Sequence, residues 1–208
     1  MHVGMSVIFQ NPGEQIPDQQ VYQQDLALAL QAESLGFDSV WSVEHHFTSY
    51  TMCPDVLQFL TYMAGATESI QLGSMVCVLP WHDPLRVIEQ ISMLDNLSDG
   101  RLILGLGRGT GKVEFDGFRT EMASARLRFK ESTEMVLNAL ENGYAEYHGE
   151  LLDQPRVDIR PRPVKSMRGR AYAAAVSPDS ARIMAEMGVG ILIVPQKPWK
   201  VVRRELQD

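Results

Sequence analysis

A carboxylate and two imidazoles stand side by side at Glu44, His45 and His46. They directly follow the apolar run Val40-Trp41-Ser42-Val43, which predicts a buried strand ending at this point. In an α/β barrel the carboxyl ends of the strands carry the catalytic groups, and an imidazole that titrates near neutrality can take up and release protons. The same residue types also bind metals, and a histidine at a strand end is often structural. These residues alone therefore leave catalysis, metal binding and a structural role open.

The spacing of the two histidines argues against a metal. Adjacent residues at the end of a strand should point to opposite sides of the sheet, and no third ligand stands at a fitting distance along the chain. We predict no metal site. A barrel hydrolase that uses Glu44 and a metal is kept as an alternative function.

The composition excludes several classes of partner. The chain has 208 residues, 45% of them hydrophobic, and a net charge of -7 without a basic stripe or a polybasic run. Neither nucleic acid nor an anionic membrane surface is expected to bind. The start of the chain lacks the features of a signal peptide, and no apolar run approaches the roughly 20 residues that span a bilayer. Cys53 and Cys77 lie in apolar surroundings and are predicted to be reduced core thiols, so we expect a cytoplasmic protein.

Predicted strands and helices alternate six times along the chain. The strands fall at 3–9, 37–43, 70–78, 101–106, 171–175 and 190–194. The helices fall at 18–35, from 53 to about 65, 84–97, 124–140, 177–188 and from 198. A hairpin excursion is predicted near 147–160, within a single domain that spans 1–208. This alternation predicts a parallel sheet with right-handed crossovers.

Two architectures fit this alternation, an open doubly wound sheet and a TIM-type (β/α)8 barrel. A doubly wound nucleotide-binding fold would carry a glycine-rich fingerprint after its first strand, but Gln10-Asn11-Pro12-Gly13 stands there instead. The glycines at Gly105, Gly107 and Gly109 also fail this fingerprint, because residue 110 is Thr. They fail the phosphate-binding P-loop pattern as well, because Val113 stands where Ser or Thr should follow Gly111-Lys112. We therefore predict an α/β protein with a TIM-type barrel. Six strands do not close such a barrel, so it is predicted to be truncated after about six strands, either as part of a longer barrel or as an abbreviated form.

Further polar and apolar groups should gather at the barrel mouth. Met75 and Val76 end the third strand, and Gly107 and Arg108 open a glycine-rich loop. The helix that begins near Ser177 and Ser180 should present free N–H groups suited to a phosphate. Arg126 could reach that phosphate, although a solvated Arg126 and a Ser177 that only caps its helix are equally ordinary. A phosphate site, an apolar wall and a histidine together suggest a flat phosphorylated cofactor, and FMN fits better than a dinucleotide.

Several short motifs, in order and nearly without gaps, resemble the bacterial luciferase-like monooxygenase family from Val3 to about Val194. The motifs that carry the resemblance are Gly36-Phe37-Asp38-Ser39-Val40-Trp41, Glu44-His45-His46-Phe47, Gly65-Ala66-Thr67-Glu68, Val78-Leu79-Pro80, Pro84-Leu85-Arg86, Leu94-Asp95, Ser98-Asp99-Gly100-Arg101, Gly107-Arg108-Gly109, Glu114-Phe115 and Arg126.

The resemblance implies a barrel that binds reduced FMN and reacts it with molecular oxygen to oxidise a small organic substrate such as an aldehyde. A separate flavin reductase would supply the cofactor, and a homodimer or heterodimer would form. His45 matches the position of the family's catalytic base, and Glu44 would orient that region. The resemblance further assigns to the flavin Met75 and Val76, joined by a non-proline cis peptide, together with Gly107, Arg108, Arg126, Val176, Ser177 and Ser180.

The sequence also departs from the luciferases. Val176 replaces a carboxylate whose backbone meets the phosphate, and Gly107 replaces a cysteine near the flavin. The last third of the family, with its final strands and mobile lid, has no counterpart in the 208 residues. A luciferase relative that binds flavin without oxygenating a substrate is therefore the alternative to a monooxygenase. Light emission is less expected than dark oxygenation, because the motifs are common to the whole family.

Overall fold

The computed structural model describes the backbone of residues 1–175, 178–193 and 198–205. Its strands, in chain order, are β1 (Gly4–Val7), β2 (Ser39–Ser42), β3 (Gln71–Ser74), β4 (Cys77–Val78), β5 (Leu102–Gly107), β6 (Tyr144–His148), β7 (Asp153–Asp158), β8 (Ala171–Ala175) and β9 (Gly190–Ile193). Its helices are α1 (Asp18–Gln31), α2 (Val56–Ala66), α3 (Pro84–Leu97), α4 (Lys112–Phe118), α5 (Ala125–Asn142), α6 (Pro178–Glu186) and α7 (Trp199–Glu205).

The main sheet follows the order β1-β2-β3-β5-β8-β9, and all of its pairings are parallel. Helices cross between successive strands, as a parallel sheet requires. The sheet forms part of a barrel wall, so the predicted fold, a TIM-type barrel truncated after six strand positions, is confirmed. The antiparallel pair β6 and β7 forms the predicted hairpin outside this sheet.

The third predicted strand is interrupted. Residues 70–78 form β3 and β4, which both pair with β5, and the peptide between Met75 and Val76 is cis, as the resemblance implies. Ser74 joins the two parts to β5, because its Oγ donates to the carbonyl of Gly105 at 2.9 Å and accepts from the Gly105 N–H at 2.8 Å. Gly105 has to be glycine here, since a Cβ would lie 2.0 Å from the Ser74 carbonyl oxygen.

The helix ends follow local chemistry, with two corrections. As predicted, α3 begins at Pro84, and Asp83 Oδ1 accepts the Leu85 N–H at 2.8 Å. The second helix was predicted to begin at residue 53, which is wrong. Asp55 caps it through the Gln58 N–H at 2.9 Å, and the helix begins at Val56. The helix α4 was not predicted at all, because its seven residues include Gly117 and show no clear apolar repeat.

One apolar core lies between the sheet and the helices. Leu72, Leu102, Leu104 and Leu106 of the sheet are at most 1% exposed, and they belong to the same buried cluster as Leu60, Met63, Ile88, Ile91 and Leu94 of α2 and α3. Strands buried on both faces are expected to be this uniformly apolar. No helix within the described ranges is long and apolar enough to cross a membrane.

Candidate active site at the carboxyl ends of the strands

The strand register brings the predicted site residues to one end of the sheet. Val7 pairs with Ser42, and Ser42 pairs with Ser74, so β1, β2 and β3 end at the same level. Val78 pairs with Gly107 just beyond that level. The segment after β2 that carries Glu44, His45 and His46 therefore lies beside β4 and the end of β5.

Glu44 is buried, with 3% of its surface exposed, and it accepts three hydrogen bonds. Its Oε2 accepts the Val78 N–H at 2.8 Å. Its Oε1 lies 2.6 Å from His82 Nε2 and 3.1 Å from His46 Nε2. An ionised carboxylate only accepts, so both ring nitrogens donate. This group, called the Glu44 cluster, ties the segment after β2 to β4 and to the turn that follows it.

Charge pairing governs the ionisation of the Glu44 cluster. Burial alone would raise the pKa of Glu44, but the hydrogen bonds from His46 and His82 outweigh it and hold the pKa below the ordinary value. Burial would lower the pKa of His82, but its bond to Glu44 raises it instead. The two groups therefore favour the ionised carboxylate beside a protonated imidazole. Glu44 is therefore a structural anchor of the segment after β2, and the orienting role that the resemblance implies stays a prediction.

His45 points away from this cluster. Its side chain is 39% exposed, and its Nδ1 lies 2.9 Å from Oε1 of Glu114, whose side chain is 4% exposed. The same Glu114 oxygen accepts the backbone N–H of His46 at 3.1 Å. A carboxylate at Nδ1 selects the tautomer in which Nδ1 carries the proton, so the lone pair of the neutral ring is on Nε2. His45 and His46 lie in the loop after β2 and not in the strand, and their imidazoles bond to different carboxylates, Glu114 and Glu44.

Sequence reasoning assigned no role to Glu114, because its helix was not predicted. Glu114 lies in the first turn of α4, directly after the glycine-rich loop. Its carboxylate passes close to Gly111, where a Cβ would lie 2.1 Å from Oε2 of Glu114. In the sequence, Glu114 is indicated only by the short motif Glu114-Phe115. Only the fold brings its carboxylate to His45.

His46 is packed among aromatic rings. It makes edge contacts with Trp81 at 5.3 Å and with Phe118 at 4.6 Å between ring centroids. Phe47 lies beside Phe118 at 5.1 Å and is 61% exposed, in the left-handed backbone region at φ 62. The result is an apolar wall next to His45.

The Met75-Val76 peptide and the start of the glycine-rich loop lie together at the end of β5. Met75 is 37% exposed, and Val76 packs over Gly107, where a Cβ would lie 2.1 Å from Val76 Cγ2. Gly109 has φ +74, and a Cβ there would lie 2.8 Å from the Trp81 ring. Met75, Val76 and Gly107 thus lie close together at the end of the sheet, and their contact with a flavin ring stays a prediction.

The predicted phosphate end is less complete. Arg108 is half-buried and Arg126 is exposed, and neither forms an ion pair or hydrogen bond with a described residue. Val176 and Ser177 lie outside the described residues, as does the side chain of Ser180, whose backbone is in α6. The roles of these five residues stay predictions.

Three metal-ligand types do meet in the described part of the chain. Atoms of Glu44, Cys77 and His82 all lie within 4.8 Å of one another. However, both oxygens of Glu44 already accept N–H groups, and burial raises the pKa of the Cys77 thiol well above its ordinary value. A metal would have to displace the bond between His82 and Glu44 and deprotonate this thiol. The absence of a metal stays a prediction, and metal analysis of the purified protein tests it.

Comparison with known proteins gives the family and the fold of the chain. The sequence profile of the luciferase-like monooxygenase family matches residues 1–208. The crystal structure of the monooxygenase RslO1 from Streptomyces bottropensis superimposes with a TM-score of 0.92 at 31% identity, covering 100% of this chain and 64% of that one.

Two curated relatives are named for their activity. The alkanal monooxygenase alpha chain of Photobacterium leiognathi is 30% identical over 185 residues, which are 89% of this chain and 51% of the relative. The oxygenase component of flavin-dependent trigonelline monooxygenase from Acinetobacter baylyi (strain ATCC 33305 / BD413 / ADP1) is 25% identical over 197 residues, 94% of this chain and 54% of the relative. The chain thus spans about half the length of both curated relatives.

Proposed function

The chain belongs to the luciferase-like monooxygenase family, and on that premise we propose that it binds reduced FMN and uses it with molecular oxygen to oxidise a small organic substrate such as an aldehyde. The observation that carries the proposal is the orientation of His45. Its Nδ1 is held by the buried Glu114, and its ring is 39% exposed at the end of the sheet where β4 and the end of β5 lie.

Bound reduced flavin would supply the two electrons that oxygen activation needs. One oxygen atom then enters the substrate and the other leaves as water, so protons must move at the reacting centre. The Nε2 of His45 would accept and return such a proton, and the engagement of Nδ1 by Glu114 supports this role. Glu44 acts one step further away, since it holds the loop that carries His45 and His46.

The cofactor would be held along the remaining predicted positions. Met75, Val76 and Gly107 would contact the ring, and Arg108 and Arg126 would face the phosphate. Val176, Ser177 and Ser180 would complete the phosphate site with free N–H groups and hydroxyls at the start of α6.

A separate flavin reductase is the proposed source of reduced flavin. The Acinetobacter relative is named an oxygenase component, and a component of that kind works with another protein. A homodimer or heterodimer is proposed on the resemblance alone. We also propose that the residues 1–208 form a single domain.

Anaerobic titration with FMN, first oxidised and then photoreduced, tests the binding step. Preferential binding of the reduced form would support the proposal, and the absence of binding would refute it for this chain. Oxygen consumption is then measured with an aldehyde, alongside the yields of oxidised substrate and hydrogen peroxide. Flavin binding that yields only hydrogen peroxide would favour the alternative, a relative that binds flavin without oxygenating a substrate.

A further inference from the structure

A second pocket lies beside the barrel mouth and has its own lining. Its volume is about 580 Å³. It is bordered by the turn from Pro80 to His82 and the start of α3, by the connection 119–124, by Arg128 of α5 and by Leu151 and Leu152 at the hairpin tip. Glu44, His45, Met75 and Gly107 do not line it. The pocket and the mouth are therefore separate sites that share a wall at Trp81 and His82.

Arg128 is the unusual residue of this pocket. It is half-buried, and its Nε is fully buried without a hydrogen-bond partner among the described residues. Arginine is seldom buried unless its charge is paired, because taking a guanidinium out of water is costly. Trp81 also lines the pocket, and its indole Nε1 is a second buried donor without a partner in the described chain.

The acidic residue nearest to Arg128 along the helix is already engaged elsewhere. Glu131 accepts the backbone N–H groups of Glu150, Leu151 and Leu152 at 2.7 to 3.0 Å, and so fixes the hairpin tip. Its charge interacts with Arg128, but its oxygens are occupied by these three bonds. The Nε of Arg128 is thus left without an acceptor among the described residues, and its guanidinium lies in the wall of a pocket.

The rest of the lining indicates which ligand would pair with the Arg128 guanidinium at the pocket wall. Arg119 adds a second cation, and Thr120 adds a hydroxyl. Of the two acids at the border, Asp83 is engaged in capping α3, and Glu121 is exposed. Apolar surface comes from the Trp81 ring, Pro80, Pro84, Leu151 and Leu152. We propose that this pocket binds an organic carboxylate, with Arg128 as its bidentate partner and the apolar side chains around its body.

Calorimetric titration of the 208-residue chain with benzoate tests the proposal. We expect saturable binding, weakened about 10-fold or more in Arg128→Gln, which is the loss of a charge-assisted pair. Arg128→Lys should lie between the two, because it keeps the charge and loses the planar fork. Lys130→Gln removes one positive charge from the exposed face of the same helix and should bind like the wild type. No saturation, or equal affinity in Arg128→Gln and the wild type, overturns the proposal.

Titrations with two further ligands separate the contribution of the carboxylate charge from that of the organic body. Benzamide has the same ring without the charge and should bind at least about 10-fold more weakly than benzoate. Inorganic phosphate that binds as tightly as benzoate would overturn the requirement for an organic body. If Arg128→Gln does not fold, the exposed Arg119→Gln serves as the second variant. A smaller but measurable weakening of benzoate binding is expected from it, and unchanged affinity would count against the site.

Discussion

His45 and Glu114 are 69 positions apart in the sequence, yet Nδ1 of one lies 2.9 Å from Oε1 of the other. The carboxylate is buried and also accepts the His46 N–H, so it is fixed from two directions. This contact orients the imidazole and leaves its second nitrogen for the mouth. It also links the segment after β2 to the glycine-rich loop before α4, two parts of the chain predicted to serve the same cofactor.

Replacing His45 should separate chemistry from binding. In His45→Ala we expect flavin affinity close to the wild type and substrate oxygenation about 10²-fold slower or worse, as for the loss of a general acid-base group. Single-turnover product yield with reduced FMN measures it. His148→Ala, on the exposed face of the hairpin, is the matched control. Unchanged oxygenation in His45→Ala would remove His45 from the mechanism.

Glu114→Gln tests the positioning of His45. The amide keeps the size of the side chain but cannot hold the ring with a full negative charge, so turnover should fall about 10-fold or more with flavin affinity retained. Glu114→Asp, which restores the charge on a shorter side chain, should recover part of the rate. Glu68→Gln is the control, since Glu68 is exposed and its carboxylate contacts none of these groups. A Glu114→Gln enzyme with wild-type turnover would show that the contact has no catalytic consequence.

The Glu44 cluster should make stability depend on pH in a defined window. The lowered pKa of Glu44 contributes stability that is present above its ordinary value of 4.5 and is lost as pH falls through the folded pKa. The raised pKa of His82 contributes stability that is present below its ordinary value of 6.5 and is lost as pH rises through the folded pKa. Both contributions are therefore complete between pH 4.5 and 6.5.

Glu44→Gln should accordingly lower the free energy of unfolding most within that window, by on the order of 3 kcal/mol. Urea unfolding at a series of pH values measures the difference from the wild type. Glu89→Gln, which breaks an exposed pair with Arg86, should change stability by no more than about 1 kcal/mol. A Glu44→Gln destabilisation that is the same at every pH would contradict the charge pairing.

Gly107→Ala tests the close packing under the proposed flavin ring. A Cβ at this position would lie 2.1 Å from Val76 Cγ2, so Val76 has to move. We expect a loss of about 1–3 kcal/mol in stability together with weaker flavin binding. Gly65→Ala in α2 meets nothing within 4 Å and should instead stabilise the protein by about 0.5–1 kcal/mol. Thermal unfolding measures the stability of both variants, and flavin titration measures their affinity. Wild-type stability and wild-type flavin affinity in Gly107→Ala would rule out this packing.

Arg126 is predicted to recognise the phosphate of FMN. Arg126→Ala should weaken FMN binding by about 10-fold while riboflavin, which has no phosphate, binds as before. Parallel titrations with the two flavins measure the difference. Lys130→Ala removes a neighbouring charge on the same helix and serves as the control. Equal weakening of both flavins would mean that Arg126 does not contact the phosphate.

Much of the fold could be predicted from the sequence because its signals are local. Apolar runs bounded by Gly, Pro and Asp specify where strands and helices lie, and Asp83 with Pro84 placed the start of α3 correctly. The alternation of strands and helices was enough to predict a parallel sheet, since connections of that kind allow few topologies, and the missing glycine fingerprint then favoured a barrel. The position of Glu44, His45 and His46 at a strand end followed from the same local pattern.

The partners of those residues were decided by the tertiary structure alone. Nothing near His45 in the sequence indicates Glu114, and nothing near Glu44 indicates His82. These contacts depend on which strands are neighbours and on their register, which place loops from β2, β4 and β5 at one level. The pocket around Arg128 arises in the same way, from a turn, a helix and a hairpin tip that are distant in sequence. Local patterns determine the elements, whereas burial and contact between elements determine which side chains are paired, which are exposed and which are left without a partner.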